Sequence, residues 1–150
     1  MSAFGIHIPN GLICVFDPEV NKRAALDQLV KAINEAGAVE DVEALARAVH
    51  ERESIMSTGI GQGIAIPHVR MEGIVEPTVA VGISADGLDF DTLDNEPVQV
   101  VVLFAMPAGS QKEYLGLLAQ VMKALKDTNF RDQLTECTTR EQAAAILNAD

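Results

Sequence analysis

Residues 98 to 106 read VQVVVLFAM, an apolar run broken by a single polar residue. A strand with only one apolar face would alternate, and this one does not, so it predicts a strand covered on both sides. Such a strand needs at least two layers of other elements around it, which excludes an open two-sided ribbon or a bare helical bundle. Pro107 ends the run, and Ala108-Gly109 turn the chain.

The flanking segments supply those layers. GLICVF, residues 11 to 16, reads as a short buried strand between Pro9-Asn10 and Asp17-Pro18. From Asn21 to Ala36 apolar residues recur at helical steps (Ala25, Leu29, Ala32, Ile33, Ala36), and Gly37 stands where a C-cap belongs. A second helix is predicted from Val42 to Glu53, capped by Asp41, with Leu45, Ala48 and Val49 inward. TVAVGIS, residues 78 to 84, predicts another strand. The acidic ADGLDFDTLDNEP after it predicts an exposed loop with a short β excursion. A third long helix is expected over 112 to 126, with Leu115, Leu118, Ala119, Met122 and Leu125 on its inner face. Shorter helices near 130 to 136 and 140 to 147 finish the chain, the last N-capped by Thr139. Strands and helices intermingle without repeat or linker, so the expectation is one α/β domain over residues 1–150.

Charge and composition narrow the function classes. The formal net charge of -11 repels phosphate backbones and excludes nucleic acid as a natural partner. No stretch reaches the roughly 18 apolar residues of a membrane span, so no membrane insertion is expected. MSAFGIHIPNG lacks the basic and apolar regions of a signal peptide. Cys14 and Cys137 fit neither a metal spacing nor a CxxC motif. Cys14 reads as a small core residue, and reduced thiols fit a cytoplasmic protein.

One segment asks for a functional explanation. STGIGQGIAIPHVR, residues 57 to 70, alternates glycines with small or β-branched residues and reads as a loop feeding a strand that ends at Pro67-His68. Gly61 and Gly63 permit tight turns whose freed amides can face an anion. Pro67 stiffens the backbone at His68, a residue whose chemistry operates near neutral pH. No GK[ST] follows the glycines, so this is not a P-loop.

The longer stretch ERESIMSTGIGQGIAIPHVR, residues 51 to 70, resembles the active-site signature of the type-2 EIIA domains of the bacterial phosphotransferase system, the fructose, mannitol and nitrogen-regulatory group. The matching parts are Arg52-Glu53, the turn Thr58 to Gly61, and Ala65 to His68. The likeness continues through the VQVVVLFAMP strand, the leucine-rich helix and the closing TREQAAAIL helix. It implies the mannitol/fructose-type EIIA fold, a mixed β-sheet covered by helices. It also implies a phosphohistidine cycle: a histidine phosphocarrier (HPr or its nitrogen-branch counterpart) donates a phosphoryl group to His68, which passes it to an EIIB domain or keeps it as a regulatory mark read by a regulated protein. In that cycle Arg52 is the charged donor to the phosphoryl oxygens, Thr58 a hydroxyl donor or a brace of the turn, and Gly61 and Gly63 the phosphoryl-binding loop. Glu53 orients Arg52 or the loop. No metal or cofactor is implied.

The chain departs from the family at one position. Where most members have a His-Leu pair opening the long helix, this sequence has Tyr114-Leu115. A phenol can donate a hydrogen bond but, with an ordinary pKa near 10, supplies no positive charge. That departure, and the absence of an EIIB- or EIIC-like segment within these residues, leave a second reading open: a regulatory binding module. His50 is expected to be solvated and His7 incidental.

Overall fold

The computed structural model describes residues 2–149. Its centre is the apolar run: strand β6, Val98–Pro107, is buried along nearly its whole length on both faces. Beside it runs β5, Thr78–Leu88, antiparallel, and beside β5 the short parallel strand β1, Ile13–Val15. The other edge of β6 is occupied in two instalments. β3 (Ile64–Ala65) pairs in parallel with Val100 and Val101, and β4 (His68–Met71) pairs in parallel with Phe104 to Pro107. β2, Gly59–Gly61, closes that side antiparallel to β3. The resulting six-stranded sheet is mixed, as expected.

β3 and β4 are one strand interrupted at Ile66-Pro67. Proline has no N–H to give the ladder, but its carbonyl still accepts from the Phe104 amide at 2.9 Å. The break corrects the reading that His68 ends a strand; it opens one, so residues beyond it continue in alternation along β4.

Helix α1, Lys22–Glu35, starts at Asn21, whose side chain accepts from the Ala24 amide, and stops before Gly37 at φ +76°. Its buried stripe is Ala25, Leu26, Leu29, Val30, Ala32 and Ile33. α2, Val42–Ile55, is capped by Asp41 and buries Leu45, Val49 and Glu53. α1 packs on β5 and on α2, and α2 reaches β4. α3, Gln111–Leu125, keeps Leu125 buried and Leu118 packed on the core as expected, but the rest of its inner face is rotated. Tyr114, Val121 and Leu125 are buried, while Leu115 is 53% exposed and Ala119 lies in solvent. Six leucine-like positions crowd this helix, so periodicity alone admits two stripes, and packing of Tyr114 on Phe104 selects one. α4 (Thr128–Thr135) and α5 (Arg140–Leu147) pack against one another and against the sheet. α5 carries a full capping box from Thr139 and Gln142.

Two strand boundaries shift. The strand at residue 78 extends to Leu88, which pairs with Val98, and the acidic stretch after it is anchored by Phe90, fully buried. Residues Asn10–Leu12 form a 3₁₀ turn, so the first strand is shorter than GLICVF. Cys14 is buried, as expected, and burial pushes its thiol pKa up.

Candidate active site

His68 stands at the first position of β4, half-buried, beside the sheet break. Its Nδ1 lies 3.1 Å from the carbonyl oxygen of Ile66. A carbonyl only accepts, so Nδ1 carries the hydrogen and the neutral ring keeps its lone pair on Nε2. The break at Pro67 makes this bond possible: Ile66 lies outside both strands, its amide donates to the Thr58 carbonyl at 3.0 Å, and its own carbonyl is free to turn toward the ring.

The imidazole is stacked on Tyr114, with centroids 5.3 Å apart and planes 26° from parallel. Tyr114 in turn stands edge-on to Phe104 at 5.4 Å. The phenol is buried, and burial raises its pKa above the usual 10; the charges of Arg52 and Arg70 pull the other way without cancelling it. It is therefore a protonated hydroxyl at neutral pH.

Arg52 lies in the last turn of α2, where a cation is favoured by the helix dipole. One guanidinium N–H donates to the Met56 carbonyl at 3.0 Å, fixing the fork, and no carboxylate pairs with it among the described residues. Arg52, His68 and Arg70 line one open recess of about 580 Å³, whose other walls include Ile55, Val69 and Gly109. Sequence reading missed Arg70. Its signal was strand alternation, since residues two apart on β4 share a face, and that signal vanished once the strand was ended at His68.

The remaining candidates are placed elsewhere. Glu53 does not touch Arg52. Buried at the end of α2, it accepts the Thr58 amide at 3.0 Å and pairs with Lys22 at 3.1 Å. Of its two expected tasks it meets the geometry of the second, fixing the start of the loop. Lys22 also lies 4.5 Å above the ring of Phe90 and donates to that residue's carbonyl. Thr58 is buried with its hydroxyl sealed from solvent and unpartnered among the described residues, so the hydroxyl does not face the recess. Its link to His68 runs through its carbonyl and Ile66. That is the geometry of a brace of the turn, one of the two tasks expected of it.

Gly61 and Gly63 do take up left-handed backbone, at φ +91° and +78°. They line none of the His68 recess. Gly61 faces Asp94, whose carboxylate accepts the Glu96 amide at 3.1 Å and is held below the usual carboxylate range, chiefly by the Thr92 hydroxyl. Gly63 faces Gln99 and Pro97. Both glycines thus back onto the 89–97 loop and the start of β6 rather than onto the His68 recess. His50 is not solvated as expected: its Nε2 lies 2.6 Å from Asp27 of α1. Among the described residues no group of His, Cys, Asp and Glu is arranged to hold a metal ion, and no helix is long and apolar enough to cross a membrane.

A mixed sheet with helices on its faces, presenting one tautomer-fixed histidine at a broken edge, defines a specific class of α/β protein. The chain belongs to the family described as phosphoenolpyruvate-dependent sugar phosphotransferase system, EIIA 2, whose model matches residues 8–150. It is 32% identical over 139 residues to the fructose-specific EIIA component of Haloferax volcanii, covering 93% of this chain and 90% of that protein. The nitrogen regulatory protein IIA-Ntr of Neisseria meningitidis superposes with a TM-score of 0.81 at 28% identity, covering 93% of this chain and 95% of that one. The mannitol enzyme IIA of Escherichia coli, solved in complex with phosphorylated enzyme IIB, shares the fold with a TM-score of 0.76 at 18% identity, over 93% and 96% of the two chains.

Proposed function

We propose that this chain is a cytoplasmic phosphocarrier that accepts a phosphoryl group on Nε2 of His68 and either passes it to an EIIB domain or holds it as a regulatory mark. The observation that carries the proposal is the Nδ1–H bond to the Ile66 carbonyl, which leaves Nε2 as the nucleophilic nitrogen in a recess walled by arginine.

The donor is an HPr-like phosphohistidine. The Nε2 lone pair attacks its phosphorus; the new N–P bond forms as the donor's N–P bond breaks, and that electron pair returns to the donor's imidazole. The proton on Nδ1 stays in place, so the phosphorylated ring of His68 carries positive charge. The Ile66 carbonyl and the π face of Tyr114 stabilise that charge. Arg52, already fixed by Met56, meets the phosphoryl oxygens with its remaining N–H groups. The onward step reverses the roles: a nucleophile of the receiving protein bonds to phosphorus and the P–N pair returns to His68. The mannitol relative seen with phosphorylated enzyme IIB supports an EIIB domain as receiver.

The test is incubation with enzyme I, HPr and phosphoenolpyruvate. The wild type gains one acid-labile phosphoryl group and His68→Ala gains none. A gain that persists in His68→Ala moves the site elsewhere. The phenol at position 114 favours a second reading, a regulatory module whose partner binding matters more than fast turnover; no gain with several carriers would select it.

A further inference from the structure

We infer that Arg70 is a second phosphoryl-binding residue, reaching the group on His68 from β4 and supplying positive charge that the phenol at position 114 cannot. The inference rests on the phosphocarrier reading above and adds a residue to it.

Position is the first argument. His68 and Arg70 are alternate residues of one strand, paired with Phe104 and Met106 of β6, so their side chains leave the same face. Both line the recess that Arg52 enters from α2. A phosphoryl group on Nε2 therefore lies between two guanidinium groups carried by different elements.

Pairing is the second argument. The chain has 22 acidic residues against 11 lysines and arginines. An exposed arginine in such a chain has many carboxylates within reach, yet Arg70 makes no ion pair or side-chain hydrogen bond among the described residues. Its donors are uncommitted, whereas Arg52 already spends one on Met56. The ionisable groups around the recess are Glu51 and Arg52 from α2, His68 and Arg70 from β4, and the Tyr114 hydroxyl from α3. Glu51 is exposed and is the one acid among them. A dianionic phosphoryl group placed there is attracted by two guanidinium groups against one carboxylate, and planar forks bind such oxygens two at a time.

The two arginines differ in kind. Arg52 is half-buried and tied to the end of its helix; Arg70 is exposed and free to swing. Arg52 is preorganised for the acceptor site, and Arg70 follows the phosphoryl group as the partner protein delivers or removes it.

The experiment uses the full chain phosphorylated with enzyme I, HPr and phosphoenolpyruvate, in wild-type, Arg70→Gln and Arg70→Lys forms. Two quantities are read: the rate of phosphoryl uptake, and the pH midpoint at which the phosphoryl ³¹P resonance titrates. Arg70→Gln is expected to slow uptake about tenfold, less than the roughly hundredfold that loss of a preorganised donor costs because Arg70 is exposed and not held in place, and to raise the phosphoryl midpoint, because the dianion loses a stabilising cation. Arg70→Lys restores part of both. Position 70 is exposed, so a merely structural role would not move the ³¹P midpoint. Rates within twofold and an unchanged midpoint in Arg70→Gln overturn the role of Arg70 while leaving His68 as carrier. A wild type that takes up no phosphate overturns both.

Discussion

The imidazole of His68 and the phenol of Tyr114 lie face to face, 5.3 Å between centroids, and Tyr114 in turn packs T-shaped against Phe104. The histidine is thus held on one side by an aromatic plane and at one nitrogen by a carbonyl, and both restraints act on ring orientation before any phosphorus arrives.

Separating plane from hydroxyl is the first test. Tyr114→Phe keeps the stack and is expected to transfer within about threefold of wild type, since only one neutral hydrogen-bonding group is lost. Tyr114→Ala removes a buried ring and is expected to cost about 3 kcal/mol in urea unfolding, with a clear fall in transfer rate. Tyr114→His restores a cationic partner and is expected to match or exceed wild-type phosphorylation. Complete loss in Tyr114→His would show that the phenol does something an imidazole cannot.

Arg52→Ala removes a donor held in position before the reaction. Transfer to His68 should fall by a factor on the order of a hundred, measured in a single-turnover assay with phosphorylated HPr. An unchanged rate would take Arg52 out of the phosphoryl site.

The chain has one tyrosine, so tyrosinate absorbance reports Tyr114 alone. Burial raises its pKa, so the absorbance midpoint should lie above 10. Because Arg52 and Arg70 lower it, substituting either by Gln should move the midpoint higher still. The sign for stability follows: the folded state binds this proton more tightly than the unfolded chain. The contribution is full below pH 10 and is lost as pH rises through the folded-state midpoint. A midpoint at or below 10 would contradict the burial.

Lys22 and the buried Glu53 form a pair 3.1 Å apart, and only the lysine reaches solvent appreciably. Lys22→Ala leaves that carboxylate without its cation and is expected to cost about 3 kcal/mol. In Lys22→Met with Glu53→Gln the orphan charge is gone, and most of the loss should be recovered. If the double variant is no more stable than Lys22→Ala, the pair is not what holds α2 to the loop.

A β-carbon on Gly59 would run into the Thr92 side chain, which joins β2 to the acidic loop. Gly59→Ala is expected to destabilise by about 1 to 3 kcal/mol, the range for overpacking a tight site. Hydrogen exchange should quicken in residues 89–97. Unchanged exchange there would mean that the loop gives way without consequence.

What could be read from residues alone depended on how many constraints met at each position. β6 was legible because nothing but a doubly covered strand tolerates VQVVVLFAM, and α1 and α2 because cap, period and stop agreed. Leu88 and Phe90 were hidden because single apolar residues among aspartates carry no period; their burial comes from pairing with Val98 and packing under Lys22. At the site, His68 and Arg52 were found through a long ordered signature and share a recess. Gly61 and Gly63 were legible as a tight turn, but a permissive φ does not say which surface that turn lies against. Arg70 was hidden by a single misjudged strand boundary.

The acceptor that selects the tautomer of His68 belongs to the main chain of residue 66. Every amino acid offers that carbonyl, so replacing the isoleucine side chain cannot delete it. The protonation pattern of the key ring is written into the path of the backbone around Pro67, and it withstands substitution there until a change reshapes the kink itself.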